Sequence, residues 1–335
     1  MVFAIVDSYS MEAESIGANI NFYHDHIPDV DRSDFVIKTV TDLDKIKFNG
    51  LDSGRYPFLI EFWTAFVNYT GMPSFPEVCA PWSLATNIYG MENLLVACLT
   101  DPGFVHELMN RIVYDLQVPL IAELKQLFPG AANFTLPDAW CSPPMLTPAI
   151  IDEFVEPYLI KLDQAIGPEL PFSHAAVWLP EKPGVDFDAY FGLIKRYNGT
   201  VNCFDPELFT LGPRYYRELA DKLQMPLNLL VSPGFILTAT AEQAAERAKL
   251  FALVGKDGIT PCSTALACIP PFTPIENIKS YIAAVRTFGA PDADADTPFE
   301  LPESDAGFNA FIKQKMENNV EGYSFSWLSH SGLEL

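Results

Sequence analysis

The sequence predicts an α/β fold assembled from repeated strand–helix units around a parallel sheet. Two observations carry this expectation. Short runs rich in β-branched and aromatic residues recur along the chain, and the stretches between them carry apolar residues at helical spacing. A third observation sets the scale: 335 residues, 49% hydrophobic and only 19% charged, supply one large core and leave little room for extended disorder.

The strand runs are VFAIVD at 2–7, FLIEFW at 58–63, NFTLPD at 133–138, LPFSHAAVW at 170–178, GTVNCFD at 199–205, PLNLLV at 226–231 and DGITPC at 257–262. Between them, residues 91–127 carry apolar positions three and four apart, and TAEQAAERAKLFALV at 240–254 opens on a capping-box pair, Thr240 and Gln243. Seven strands are one short of a closed eight-stranded barrel. A doubly wound sheet stays open on pattern alone, although no Gly-rich phosphate fingerprint follows the first run. The eighth strand is expected in the tail. After the acidic, Pro-containing PDADADTP at 291–298, a helix is expected near 304–318 and a strand at GYSFSWL, 322–328. The chain therefore divides into a barrel domain at 1–290 and an extension at 291–335 packed on it.

Charge narrows the partners. Twenty-one basic against 43 acidic side chains give a formal net charge of -22, which repels phosphate backbones and anionic lipid headgroups. Nucleic acid and membrane are not expected partners. No run approaches the roughly 20 apolar residues of a membrane span, and MVFAIVDSYS lacks a basic secretory n-region, so a cytoplasmic location is expected. Six scattered cysteines in so long a chain are expected to be reduced.

Four segments carry a family resemblance: IVDSYSMEAESIGANINFYHDHIPDV, PWSLATNIYGMENLLVACLTDPGFVHELM, PDAWCSPPMLTPAIIDEFVEPYL and ACIPPFTPIENIKSYIAAVRTFG. They resemble the uroporphyrinogen decarboxylase superfamily over roughly residues 1–290. The resemblance implies a (β/α)8 TIM barrel and offers several activities: decarboxylation, or methyl transfer to and from corrinoids with zinc. Asp7 falls where the decarboxylases keep their central aspartate and is the catalytic residue so implied. Their arginine-rich N-terminal motif is absent. The thiol-methylating members hold zinc with His-x-Cys and a later Cys. Here Cys268 matches the later cysteine as an alternative ligand, but the pair reads His174-Ala175-Ala176.

The methyltransferase component of anaerobic O-demethylases carries acid, fourteen residues, acid, twenty residues, histidine. In this chain Asp138, Glu153 and His174 stand at that spacing, with aspartate where the first acid is commonly glutamate. The resemblance thus implies zinc held by Asp138, Glu153 and His174, a corrinoid (cobalamin) carried by a partner protein, and a small methoxylated aromatic substrate. Its alternatives are another donor or acceptor, such as a methylamine, a methyl halide or a thiol like coenzyme M, or a decarboxylase-like lyase. Two carboxylates and an imidazole make a harder site than thiolates do, suited to an ether oxygen, and leave a fourth position open.

Taken singly, these residues have plainer readings: Asp138 as a turn or cap, Glu153 as a solvated helix face, His174 as a structural group. Trp140, Phe172 and Trp178 flank the ligands in sequence and are expected to line an aromatic pocket. His24 and His26 form a His-x-His pair that fits a loop before a proline at least as well as a metal site. His106 reads as a surface helix residue.

Overall fold

The computed structural model describes residues 10–22, 28–70, 77–129, 134–138, 140–141, 145–167, 172–175, 195, 200–204, 208–266, 269 and 273–302. Its elements begin with helix α1 (Met11–Ser15), the short antiparallel pair β1 (Ile20–Asn21) and β2 (Asp29–Val30), and a 3-10 turn at Val40–Lys45. Helices α2 (Tyr56–Thr70), α3 (Pro81–Tyr89), α4 (Met91–Thr100), α5 (Pro102–Arg111) and α6 (Val118–Leu127) lead into β3 (Phe134–Pro137). Helices α7 (Pro148–Ile150) and α8 (Glu156–Ile166) precede β4 (Phe172–Ala175) and β5 (Val201–Phe204). Then come α9 (Leu208–Leu211), α10 (Pro213–Leu223), β6 (Leu227–Val231), α11 (Pro233–Thr238), α12 (Ala241–Lys256), β7 (Cys262–Leu266) and α13 (Ile275–Phe288).

Among the described residues all pairing from β3 onward is parallel. β3 pairs with β4, and β5, β6 and β7 form one sheet in that order. The central strand β6 reads LNLLV with four of five residues buried, the near-continuous apolar pattern of a strand covered on both faces. Helices α12 and α13 pack against each other, and α12 packs on β7. Among the described residues these sheets do not close into a barrel. The run at 2–7, the tail helix at 304–318 and the tail strand at 322–328 lie outside the described residues.

Two of the expected strands change. FLIEFW at 58–63 is part of helix α2, because Tyr56, Leu59 and Trp63 recur at helical spacing and are all buried, whereas Glu61, which a strand would put on the same face as Leu59 and Trp63, is exposed. Local β-propensity yields to that period. In the DGITPC run only Cys262 is extended; residues 257–260 form a turn, and the strand runs on to Leu266. Pro261 cannot donate to a ladder, and its carbonyl instead accepts the Leu227 amide at 2.9 Å, at the mouth of the pairing.

The helical reading of 91–127 stands, with interruptions that have visible causes. Asp101 stops α4 and caps α5, its carboxylate accepting the Phe104 amide at 3.1 Å. At Ile112–Gln117 the helix widens into a π turn two residues before Pro119. Proline removes a donor and crowds the carbonyl four residues back. That carbonyl belongs to Asp115, and it accepts the Phe48 amide at 2.8 Å instead. The same device recurs at Ile151–Val155, two residues before Pro157. The predicted capping box is present: the Gln243 amide donates to the Thr240 hydroxyl at 3.2 Å, and the Thr240 amide donates to Gln243 Oε1 at 2.8 Å.

Candidate functional site

Asp138 follows directly on β3 and is completely buried. A buried carboxylate is costly unless hydrogen bonds meet it. The Ser83 hydroxyl, in the first turn of α3, donates to Asp138 Oδ1 at 2.5 Å. The same hydroxyl oxygen accepts the Trp140 amide at 3.3 Å, so its one proton is directed at Asp138. Ser83 is itself fully buried. Backbone bonds seat the two segments together: the Ala80 amide donates to the Pro137 carbonyl at 2.9 Å, and the Cys141 amide to the Asp138 carbonyl at 3.1 Å.

His174 enters through strand register. Leu136 pairs with His174 and Pro137 with Ala175, so Asp138 lies one residue past the last pair, at the C-terminal end of two adjacent parallel strands. In an α/β barrel that end carries the active site. The His174 and Phe172 side chains lie outside the described set, and so do Asp7, Trp178, Cys268, His24 and His26.

Glu153 is placed differently. It sits in the π turn Ile151–Val155, its side chain 58% exposed, with its carboxylate 3.8 Å from Nε2 of His106. The structure thus sets the backbones of Asp138 and His174 on neighbouring strand ends and turns the Glu153 side chain to the helix surface. Among the described residues no three His, Cys, Asp or Glu side chains gather as a metal site. His106, read as a plain surface residue, is more engaged than that. Its Nδ1 lies 2.8 Å from the Tyr158 hydroxyl, and its ring stacks on Phe154 with centroids 4.9 Å apart.

Trp140 is half-buried, and the Arg32 guanidinium sits over its ring, 4.8 Å from the centroid. Asp29 holds that guanidinium through two bonds, at 2.9 and 3.0 Å. The thiols beside the site are neutral. Burial, then the Asp138 charge, pushes Cys141 well above the usual thiol range. Burial, then Glu153, takes Cys98 up to about 11. Such thiols are poor nucleophiles.

Sequence reasoning missed a second buried acid. Glu12 of α1 is 1% exposed, and its Oε1 accepts the Cys79 amide at 2.6 Å. The Cys79 carbonyl in turn accepts Gln117 Nε2 at 2.6 Å. Residues 79–83 therefore bind Glu12 at one end and Asp138 at the other. The available signal was a charged residue among Met11, Ala13 and Ser15, all buried on one short helix.

Parallel strands alternating with helices, with buried Asp138 just past the end of β3, are in keeping with a TIM-barrel-like α/β fold, and the comparisons support that fold. The structure is similar to a methyltransferase from Methanosarcina mazei, with a TM-score of 0.65 and 16% identity over 87% of this chain and 80% of that one. Residues 3–177 match the uroporphyrinogen decarboxylase (URO-D) family, and the chain belongs to that family. A relative, the methylated-thiol–coenzyme M methyltransferase of Methanosarcina mazei, is 25% identical over 317 residues, which are 93% of this chain and 78% of that protein.

Asp138 offers a buried, hydrogen-bonded carboxylate of the kind that can ligate zinc, whereas the Glu153 carboxylate faces His106.

Proposed function

We propose that this chain is a methyltransferase that takes the methyl group of a small methoxylated aromatic and delivers it to a corrinoid carried by a partner protein, with zinc held by Asp138, Glu153 and His174. The observation that carries the reading is the position of Asp138: fully buried, fixed by Ser83, and one residue past the strand pair that contains His174. Membership of the URO-D family and the likeness to a methyltransferase of Methanosarcina mazei support methyl transfer as the reaction class.

When bound, zinc supplies Lewis acidity toward the leaving oxygen and the corrinoid supplies the nucleophile. In such a transfer the methyl C–O bond would break with its electron pair going to oxygen, which would leave as a phenolate, while the Co(I) corrinoid of the partner protein would supply the electron pair that bonds the methyl carbon. The chain's own residues bind and orient. Asp138 and His174 hold the metal from neighbouring strand ends, and Glu153 joins them by turning from His106. Trp140, Phe172 and Trp178 are the proposed contacts of the aromatic ring, and Asp7 is the proposed catalytic residue.

A second reading takes a methylated thiol as donor or a thiol such as coenzyme M as acceptor, and the name of the 25%-identical relative favours it. Its structural mark is Cys268 as a zinc ligand. Zinc-loaded protein incubated with a Co(I) corrinoid protein and a panel of methoxylated aromatics should change the corrinoid absorbance. A change with methylated thiols alone, together with loss of zinc in Cys268→Ser, supports the second reading. No change with either donor class ends the methyl-transfer proposal.

A further inference from the structure

We infer that Ser83 is the positioning residue of the proposed metal site, acting on the metal only through Asp138. The inference rests on the zinc reading of Asp138 above. Ser83 is the third residue of α3, whose residues Pro81 to Ile88 are all buried, so its hydroxyl must find partners within the protein. The hydroxyl is fully used. It accepts the Trp140 amide at 3.3 Å and donates at 2.5 Å to Asp138 Oδ1. A serine has one proton, so the Trp140 bond leaves it a single direction in which to donate.

Two consequences follow for the carboxylate. One oxygen is tied back to the helix, which fixes the plane of the group and aims it from the strand end. Helix and strand are also locked at this point by the Ala80–Pro137 bond, 2.9 Å, so the donor does not drift relative to the acceptor. A ligating carboxylate held in this way binds without first losing its rotational freedom, and removing such outer partners typically lowers metal affinity by roughly 10–100-fold. Glu12 completes the support from the other side. Its grip on the Cys79 amide at 2.6 Å anchors the start of the segment that carries Ser83.

The test uses the full chain with zinc, and with Co(II) as a spectroscopic substitute. Ser83→Ala should lower zinc affinity by roughly 10–100-fold in competition with a chromophoric chelator, and should alter the visible Co(II) bands. Ser83→Cys, close in volume with a weaker donor, should fall between wild type and Ser83→Ala and covers the case in which the alanine variant fails to fold. A merely structural role for Ser83 would leave the Co(II) bands of the bound metal unchanged. Unchanged affinity and unchanged Co(II) bands in the Ser83 variants, with zinc lost in Asp138→Ala, overturn the positioning role and leave the zinc reading standing. Zinc fully retained in Asp138→Ala overturns both.

Discussion

The Glu153 carboxylate lies 3.8 Å from His106 Nε2, joining the π turn Ile151–Val155 to α5 across an exposed helix surface. Both side chains are substantially solvent-accessible, and pairs of this kind contribute about 1 kcal/mol or less. Glu153→Ala should therefore leave the melting temperature nearly unchanged. If Glu153 is a metal ligand, the same variant should lose at least about tenfold in zinc affinity, in line with the loss of a direct donor. The two measurements together separate ligation from unfolding, and an unaltered zinc affinity would remove Glu153 from the set.

Helix α2 offers a test of period against propensity. Trp63 and Leu59 are buried, whereas Phe58 is 38% exposed. Trp63→Ala should cost about 3–5 kcal/mol in urea unfolding. Phe58→Glu should stay within about 0.5 kcal/mol of wild type, as surface changes generally do. Equal costs for the two would argue against a buried helical face carrying Leu59 and Trp63.

Lys256 closes the C-terminal end of α13. Its ammonium donates to the Ala290 carbonyl at 2.6 Å, to Phe288 at 3.5 Å and also to Ala293. Hydrogen bonds from a charged donor are worth about 1.5–3 kcal/mol each at most. Lys256→Met should loosen residues 289–297 selectively, seen as faster amide exchange there, while α12 keeps its protection.

Asp221 makes stability depend on acid. Burial raises its carboxyl, but the Thr260 amide and hydroxyl, Arg217 and the Ile259 amide outweigh that and hold it below the usual 3.8. A lowered folded value means that the contribution is present at neutral pH and is lost as pH falls through the folded value. Asp221→Asn should thus unfold at lower urea than wild type at pH 7, and the gap should narrow below about pH 4. A gap that widens in acid would contradict the assignment.

Much of this molecule was legible before folding. The Thr240–Gln243 box and the helical run at 91–127 rest on interactions between residues a few positions apart, the strands near 134, 172, 201 and 227 are marked by local β-propensity, and all appear as expected. FLIEFW carries a strand signal because aromatic and branched residues favour strands locally, while the burial of Tyr56, Leu59 and Trp63 on one helical face depends on what lies across from them.

The acid–acid–histidine spacing is a property of the sequence alone. Which of those residues approach one another is not, because it depends on the β3–β4 register and on helix faces. Tertiary structure set Asp138 beside the His174 strand, turned Glu153 toward His106, and brought Ser83 to Asp138 and Glu12 to the Cys79 amide. Caps and periods act within a turn or two of chain, so sequence determines them. A buried carboxylate finds its partner 55 positions away in sequence only when strand and helix close together.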